Sequence, residues 1–186
     1  MELEGLVPRD VVALVVVDLQ EKLFPRVHQY QQVMENCVKT IEFCKRLKLP
    51  MVVTEQYPSG LGVTVPEIQA ALGEFYKPIP KTAFSCFGEP AFVDAVNDLG
   101  VDTLVLIGIE THVCVAQTAL VGMNAHDYDM MVLADCLSAR DPFNHTQGLE
   151  RLRDEGALVS TMEMFFYEML VAAKTPEHKS VFDLLK

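Results

Sequence analysis

Basic residues are scarce in this chain. Fifteen lysines and arginines stand against 26 aspartates and glutamates, a formal net charge of −11 over 186 residues. Nucleic acids and anionic membranes are held by basic surfaces, so neither is an expected partner. Paired cysteines are also missing. Cys37, Cys44, Cys86, Cys114 and Cys136 are odd in number and include no C-x-x-C pair. That excludes a disulfide-stapled scaffold and predicts free thiols in a reducing compartment. Cys37 and Cys44 fall seven apart on one predicted helix. Their Cα atoms would be roughly 10 Å apart at a helical rise, too far for a bridge. The apolar run from Val11 to Val17 falls far short of a membrane span. The start, Met1-Glu2-Leu3-Glu4-Gly5, lacks the basic region and apolar core of a signal peptide. No linker, repeat or low-complexity tract interrupts the chain. The expectation is a soluble cytoplasmic protein with a single domain over residues 1–186.

Hydrophobic residues supply 50% of the chain and charged residues 22%, the balance of a folded globule. The β-branched run Val11 to Val17 suits a parallel strand covered on both faces. Val33, Cys37, Ile41, Cys44 and Leu47 recur at helical spacing and predict an amphipathic helix. Met51 to Thr54 reads as a second strand, and Gln56 to Gly62 as a turn-rich loop. The prolines around Tyr76 to Lys81 predict an extended segment near a sheet edge. A helix over Glu89 to Leu99 stops at Gly100. Thr103 to Ile107 reads as a strand, followed by a helix from about residue 112. Asp129 to Leu133 reads as a strand, Asn144 or His145 to Glu155 as a helix, and Leu158 to Ser160 as a last strand. Thr161 to Ala172 looks helical. Alternation of this kind predicts an α/β fold, a mainly parallel sheet flanked by helices on both faces.

Chemistry concentrates where strands are predicted to end. Gly108-Ile109-Glu110-Thr111-His112-Val113-Cys114 links a strand to a helix and places Cys114 in the first helical turn. In an open parallel sheet this edge binds ligands. Unpaired N–H groups and the dipole at a helix start are expected to lower a thiol pKa there. The competing reading is that Cys114 is a small buried core residue. Asp18 ends the first strand and Lys81 ends the proline-rich segment. A carboxylate, an ammonium and a thiol at one edge suit nucleophilic attack on a carbonyl. Taken alone, Asp18 is equally a cap and Lys81 a surface lysine.

Together, the run into Asp18-Leu19-Gln20, then Lys81-Thr82-Ala83-Phe84, then Gly108 to Val115, resembles the isochorismatase-like cysteine hydrolase superfamily. That group includes nicotinamidases and N-carbamoylsarcosine amidohydrolases. Asp135-Cys136-Leu137-Ser138-Ala139-Arg140 resembles a further family segment. Thr54 to Gly62 resembles the isochorismatase domain-containing branch. The resemblance implies a Rossmann-like three-layer fold and an Asp18, Lys81, Cys114 triad. Cys114 would form a thioester while Asp18 serves as base and then acid. It also implies a cis peptide at Ile109–Glu110 and an oxyanion hole from the backbone N–H groups of Glu110 and Cys114. Family members commonly assemble as tetramers or larger, so a homo-oligomer is expected.

Two departures refine the expectation. Metal-dependent nicotinamidases carry an Asp and two His after the second strand, whereas here Glu55 and Gln56 stand there and no histidine lies between His28 and His112. A catalytic zinc or iron needs about three close ligands, so neither metal nor cofactor is expected. True isochorismatases lack the cysteine and cleave a vinyl ether, so Cys114 argues for a small amide-like substrate instead. Vinyl ether or ester hydrolysis, and a non-catalytic oligomeric interaction module, are the alternative readings.

Gln20, Phe24, Glu55, Tyr57 and Phe84 are candidate substrate contacts. His112, two residues before Cys114, does not share its helix face, which argues against a direct base role. His126, His145 and His178 lack ligand-like spacing and read as surface or capping residues. Cys37 and Cys44 read as core, Cys136 as structural, and Cys86 as core or pocket lining near Lys81. Arg140 pairs with Asp135 or binds at a subunit edge. Met162, Met164, Phe165 and Phe166 form an apolar cluster, either core or oligomer contact.

Overall fold

Six apolar residues, Val12–Val17, four of them β-branched valines, form the central strand β1, and every one is buried. We analysed a computed structural model that describes residues 4–185. Met1 to Leu3, which open the acidic N-terminal segment, and Lys186 lie outside the described residues. Helix α1 (Tyr30–Leu47) leads to β2 (Met51–Gln56), the short helices α2 (Pro58–Leu61) and α3 (Pro66–Leu72), and β3 (Ile79–Lys81). Helix α4 (Pro90–Asn97) precedes β4 (Thr103–Ile109). A single π-helical turn, Thr111–Val115, then opens into α5 (Ala116–Ala125). The rest is β5 (Asp129–Ser138), α6 (Pro142–Asp154), β6 (Leu158–Ser160), α7 (Met162–Leu170) and α8 (Pro176–Val181).

All six strands run parallel in the order β3-β2-β1-β4-β5-β6. Alternate residues of the buried strands feed two cores. Leu14, Val16, Val105 and Ile107 pack with α1, α3 and α7. Ala13, Val15, Leu104 and Leu106 pack with α4, α5 and α6. The result is three layers, helix on sheet on helix. From β1 the chain moves outward to β2 and β3, then returns to place β4 on the other side of β1. Strand order therefore reverses between β1 and β4, and the carboxyl ends of these two strands flank the crevice where ligands bind in such sheets.

Several expectations change in detail. The loop over Gln56 to Gly62 contains α2, and α3 and α8 went unread in the pattern. Strand β5 runs to Ser138 and not Leu133. Its pairing with β4 jumps from Leu106↔Val132 to Gly108↔Leu137, so a bulge absorbs the polar Asp135. Gly108, at φ +122°, lies against β1: a Cβ there would stand 2.0 Å from Val17 O. No other residue type permits this approach of the two strands that carry the site.

Among the apolar cluster near the end, Phe165 and Phe166 are core residues, with Phe166 stacked on Phe43 at 3.9 Å. Met164 stays exposed. No helix among the described residues is long and apolar enough to cross a membrane.

Candidate active site

Three strand ends deliver three side chains to one point. Asp18 follows β1 directly, in a left-handed conformation at φ 54°. Its Oδ1 accepts from Thr54 Oγ1 at 2.8 Å and its Oδ2 from Lys81 Nζ at 2.8 Å. Lys81 is the last residue of β3, and its Nζ also lies within hydrogen-bond distance of Gln56 Oε1 (2.6 Å), Ala83 O (3.2 Å) and Phe84 O (3.1 Å). Both charged side chains are fully buried. A buried ion pair stands only when its remaining donors and acceptors are met, and here they are.

Cys114 lies in the π turn, buried, with the Asp18 carboxylate near enough to bear on its thiol. Its carbonyl accepts from Thr118 Oγ1 at 2.6 Å, and the same hydroxyl accepts from Cys86 N at 2.9 Å. The Cys86 thiol is buried beneath the site, 3.8 Å from Thr54 Oγ1. The Ile109–Glu110 peptide is cis. Glu110 O accepts from the N–H groups of both Val113 (3.0 Å) and Val115 (3.4 Å).

The electrostatics overturn one expectation. Burial pushes the Cys114 thiol well above its ordinary pKa; the Asp18 charge adds to this and Lys81 opposes it. Desolvation here outweighs any helix-start effect. The resting thiol is therefore protonated at neutral pH, and a nucleophile made from it requires a base. Asp18 is the carboxylate in contact. Burial acts to lower the Lys81 pKa, but attraction to Asp18, with smaller effects of Cys86 and Cys114, outweighs it and the net direction is up. Lys81 stays an ammonium. Burial likewise pushes the Cys86 thiol up, to about 11.

Around this centre the polar residues are heavily engaged. Gln20 Nε2 donates to Gln56 O (3.0 Å) and Gly62 O (2.6 Å), and its Oε1 accepts from Gln56 N (2.7 Å). Glu55 Oε1 accepts from Thr64 N, Thr64 Oγ1 and Tyr76 OH. Phe24 is buried, edge-on to Tyr30 at 5.0 Å. These three hold the frame behind the site. Tyr57 and Phe84 differ: both rings are about half exposed. Both are tied by their backbones to Lys81, through Tyr57 N to Lys81 O at 2.8 Å and through the Phe84 carbonyl.

The Arg140–Asp135 alternative does not form. Asp135 Oδ1 accepts from Met162 N at 2.7 Å. Arg140 pairs instead with the buried Glu110 carboxylate, through its backbone N (2.8 Å) and its Nε (3.1 and 3.2 Å). His145 is not a free surface residue: its Nδ1 is 2.8 Å from Thr111 Oγ1, which donates to Ser138 O. Burial, then the nearby His28, lowers the His145 pKa. His126 stacks on Phe87 at 4.3 Å. Thr54, Gln56, Thr118 and the Glu110 side chain are site residues that motif reading did not supply. The signal for Gln56 was its place at the end of β2, on the same edge as Asp18 and Lys81.

No group of three or more His, Cys, Asp or Glu among the described residues is arranged to hold a metal ion.

The sequence matches the isochorismatase domain over residues 12–164. The chain belongs to the isochorismatase family. Isochorismatase domain-containing protein 2 of Danio rerio is 35% identical over 177 residues, covering 92% of this chain and 85% of that protein. The MAR1 ribonuclease of Caenorhabditis elegans superposes with a TM-score of 0.88 at 31% identity, covering 97% of this chain and 92% of its own. YcaC of Escherichia coli, an octameric hydrolase of unknown specificity, shares the fold at a TM-score of 0.89 and 22% identity, over 99% of this chain and 92% of its own. The isochorismatase-family hydrolase fold thus accounts for the whole sheet and for the edge on which Asp18, Lys81 and Cys114 meet.

Proposed function

We propose that this protein hydrolyses a small, non-peptide amide through a thioester on Cys114. The observation that carries the reading is the buried chain of contacts Lys81–Asp18–Cys114. Asp18 takes the thiol proton as the sulfur attacks the carbonyl carbon. Charge on the carbonyl oxygen is met by the backbone N–H groups of Glu110 and Cys114. As the tetrahedral species collapses, Asp18 gives its proton to the leaving nitrogen, and ammonia or an amine departs. Asp18 then deprotonates a water that attacks the thioester, and the proton returns to sulfur as the acid leaves. Lys81 keeps Asp18 placed and balances its charge throughout. The half-exposed rings of Tyr57 and Phe84 wall the entrance. Every step is performed by these side chains and main-chain groups, so the reading requires neither metal nor cofactor.

Free thiols at all five cysteines fit a reducing, cytoplasmic setting. The octameric state of YcaC, with Met164 and Phe143 exposed here, supports a homo-oligomer of four or more copies. The name of the Caenorhabditis elegans relative raises RNA as a second substrate class. The net charge of −11 weighs against it, because polyanion binding needs a basic surface.

The test is ammonia release from a panel of small amides, with RNA cleavage run beside it, on wild type and Cys114→Ala. Intact-mass analysis of stopped reactions seeks the acyl adduct. Turnover that disappears in Cys114→Ala at unchanged melting temperature, with a trapped adduct in wild type, is the expected result. Amide turnover retained in Cys114→Ala defeats the reading.

A further inference from the structure

We propose that Thr118 is a positioning residue, whose hydroxyl ties the segment that grips Lys81 to the turn that carries Cys114 and so holds ammonium and thiol in one arrangement; this rests on the reading of Cys114 as the nucleophile. The need for such a tie is set by the sheet. Lys81 ends β3 and Cys114 follows β4, yet β2 and β1 stand between those strands. Strand pairing therefore never joins the two directly. Strand β3 is also a rim strand of three residues, paired on one side only.

One buried hydroxyl makes the connection. Thr118 is on α5, one helical turn past Cys114, and is fully buried. Its Oγ1 donates to Cys114 O at 2.6 Å and accepts from Cys86 N at 2.9 Å. A carbonyl only accepts and a peptide N–H only donates, so one orientation of the hydroxyl serves both. The first bond is the ordinary habit of a helical threonine, which gives its hydroxyl to the carbonyl four residues back. The second is not: its donor stands 32 residues away in sequence.

Cys86 ends the segment that encloses the ammonium. Ala83 O and Phe84 O, two of the four oxygens around Lys81 Nζ, belong to it, and its Thr82 O accepts from Gln56 Nε2 at 2.7 Å. Where this segment stands decides where those two oxygens stand, and the Thr118 bond ties it to the nucleophile helix. The thiol registers the outcome. Lys81 is the charge that opposes the upward pull of burial and Asp18 on the Cys114 pKa. An ammonium that drifts from the sulfur therefore makes the thiol harder to ionise. Misplacing a reacting group by about 1 Å can cost about a hundredfold in rate.

Thr118→Val and Thr118→Ser in the full chain test this. Valine keeps the shape and removes the hydroxyl; serine keeps the hydroxyl. Iodoacetamide labelling of Cys114 at pH 8, read by peptide mass mapping, should slow about threefold or more in Thr118→Val and match wild type in Thr118→Ser. A merely structural role predicts the reverse, since a loosened site exposes a buried thiol and speeds its labelling. On any amide that wild type turns over, Thr118→Val should lower kcat about tenfold or more and leave KM unchanged. Labelling in Thr118→Val as fast as in wild type, or faster, overturns the proposal. If Thr118→Val does not fold, hydrogen exchange in wild type decides: a Cys86 amide as slow as those of β4 is expected, and one as fast as exposed loop amides overturns the tie. Slowed labelling with no amide turned over upholds the tie and defeats the amide-hydrolase reading alone. Undiminished kcat in Thr118→Val beside an inactive Cys114→Ala defeats the tie alone.

Discussion

Removing either member of the Asp18–Lys81 pair should destabilise the protein, and unequally. The pair is 2.8 Å apart with both side chains at 0% exposure. Breaking a buried pair by deleting one partner costs about 3–5 kcal/mol, because the survivor keeps its charge away from water. In Asp18→Asn the Lys81 ammonium still has Gln56 Oε1, Ala83 O and Phe84 O within reach, which points to about 3 kcal/mol. In Lys81→Met the Asp18 carboxylate loses its cation, and those three acceptors lose their donor. That points to about 5 kcal/mol or more. A 186-residue chain gains about 0.4 kcal/mol/K of entropy on unfolding. The melting temperature should therefore fall by about 8 °C in Asp18→Asn and about 13 °C in Lys81→Met. The double variant removes both charges, so its loss should be smaller than the sum by about 2–3 kcal/mol. Circular dichroism melts and urea titrations of all four proteins read this directly. Equal losses in the two single variants, or strict additivity in the double, would refute the reasoning.

The resting Cys114 thiol is protonated, so Asp18→Asn should lower its pKa and speed iodoacetamide labelling at pH 8, while Lys81→Met should slow it; peptide mass mapping across pH checks both, and the opposite order contradicts the electrostatics. Gly108→Ala puts a Cβ 2.0 Å from Val17 O and should cost about 4 kcal/mol or more, seen as insoluble expression or a large fall in urea midpoint; a near-native midpoint would mean that β1 and β4 can separate. Burial raises the thiols of Cys44, Cys86, Cys114 and Cys136. Folded and unfolded states both hold these protons below about pH 9, and above it the unfolded chain releases them first, so stability should fall as pH rises from about 9 to 11. The raised Lys81 acts in the same direction at the upper end of that window, and an unchanged urea midpoint at pH 10 would contradict this.

How much of this was legible in the sequence depended on how local its cause was. The buried strands announced themselves by β-branched runs, since a strand covered on both faces needs no polar alternation. Asp18, Lys81 and Cys114 were legible as strand ends, and strand order then brought residues 63 apart in sequence into contact. The thiol pKa was misjudged because a helix start can be seen in a window of seven residues, whereas burial by a whole sheet edge cannot. Gln20 and Glu55 drew attention as polar residues beside the motifs. Their side chains are taken up by backbone groups of Gln56, Gly62 and Thr64, whose needs no pattern displays. The choice of Glu110 over Asp135 by Arg140 depends on the register Ile109↔Ser138 and on the bulge before it, both products of pairing rather than of composition. Helix α3 escaped notice because seven residues beginning at a proline are too short to show a period.

Lys81 ends a strand of only three residues at the rim of the sheet, yet its ammonium lies at the centre of the reactive cluster. On the proposed mechanism, peripheral assembly and catalytic readiness are thereby one event. A chain whose rim strand has not docked has no counter-charge for Asp18 and no anchor for the backbone segment that bears Phe84. With Asp18 as the proposed base, such a chain is expected to stay silent toward substrate. On the same mechanism, a molecule that has begun to come apart at its margin is expected to lose its chemistry before it loses its body, which would make activity an early gauge of the integrity of this fold.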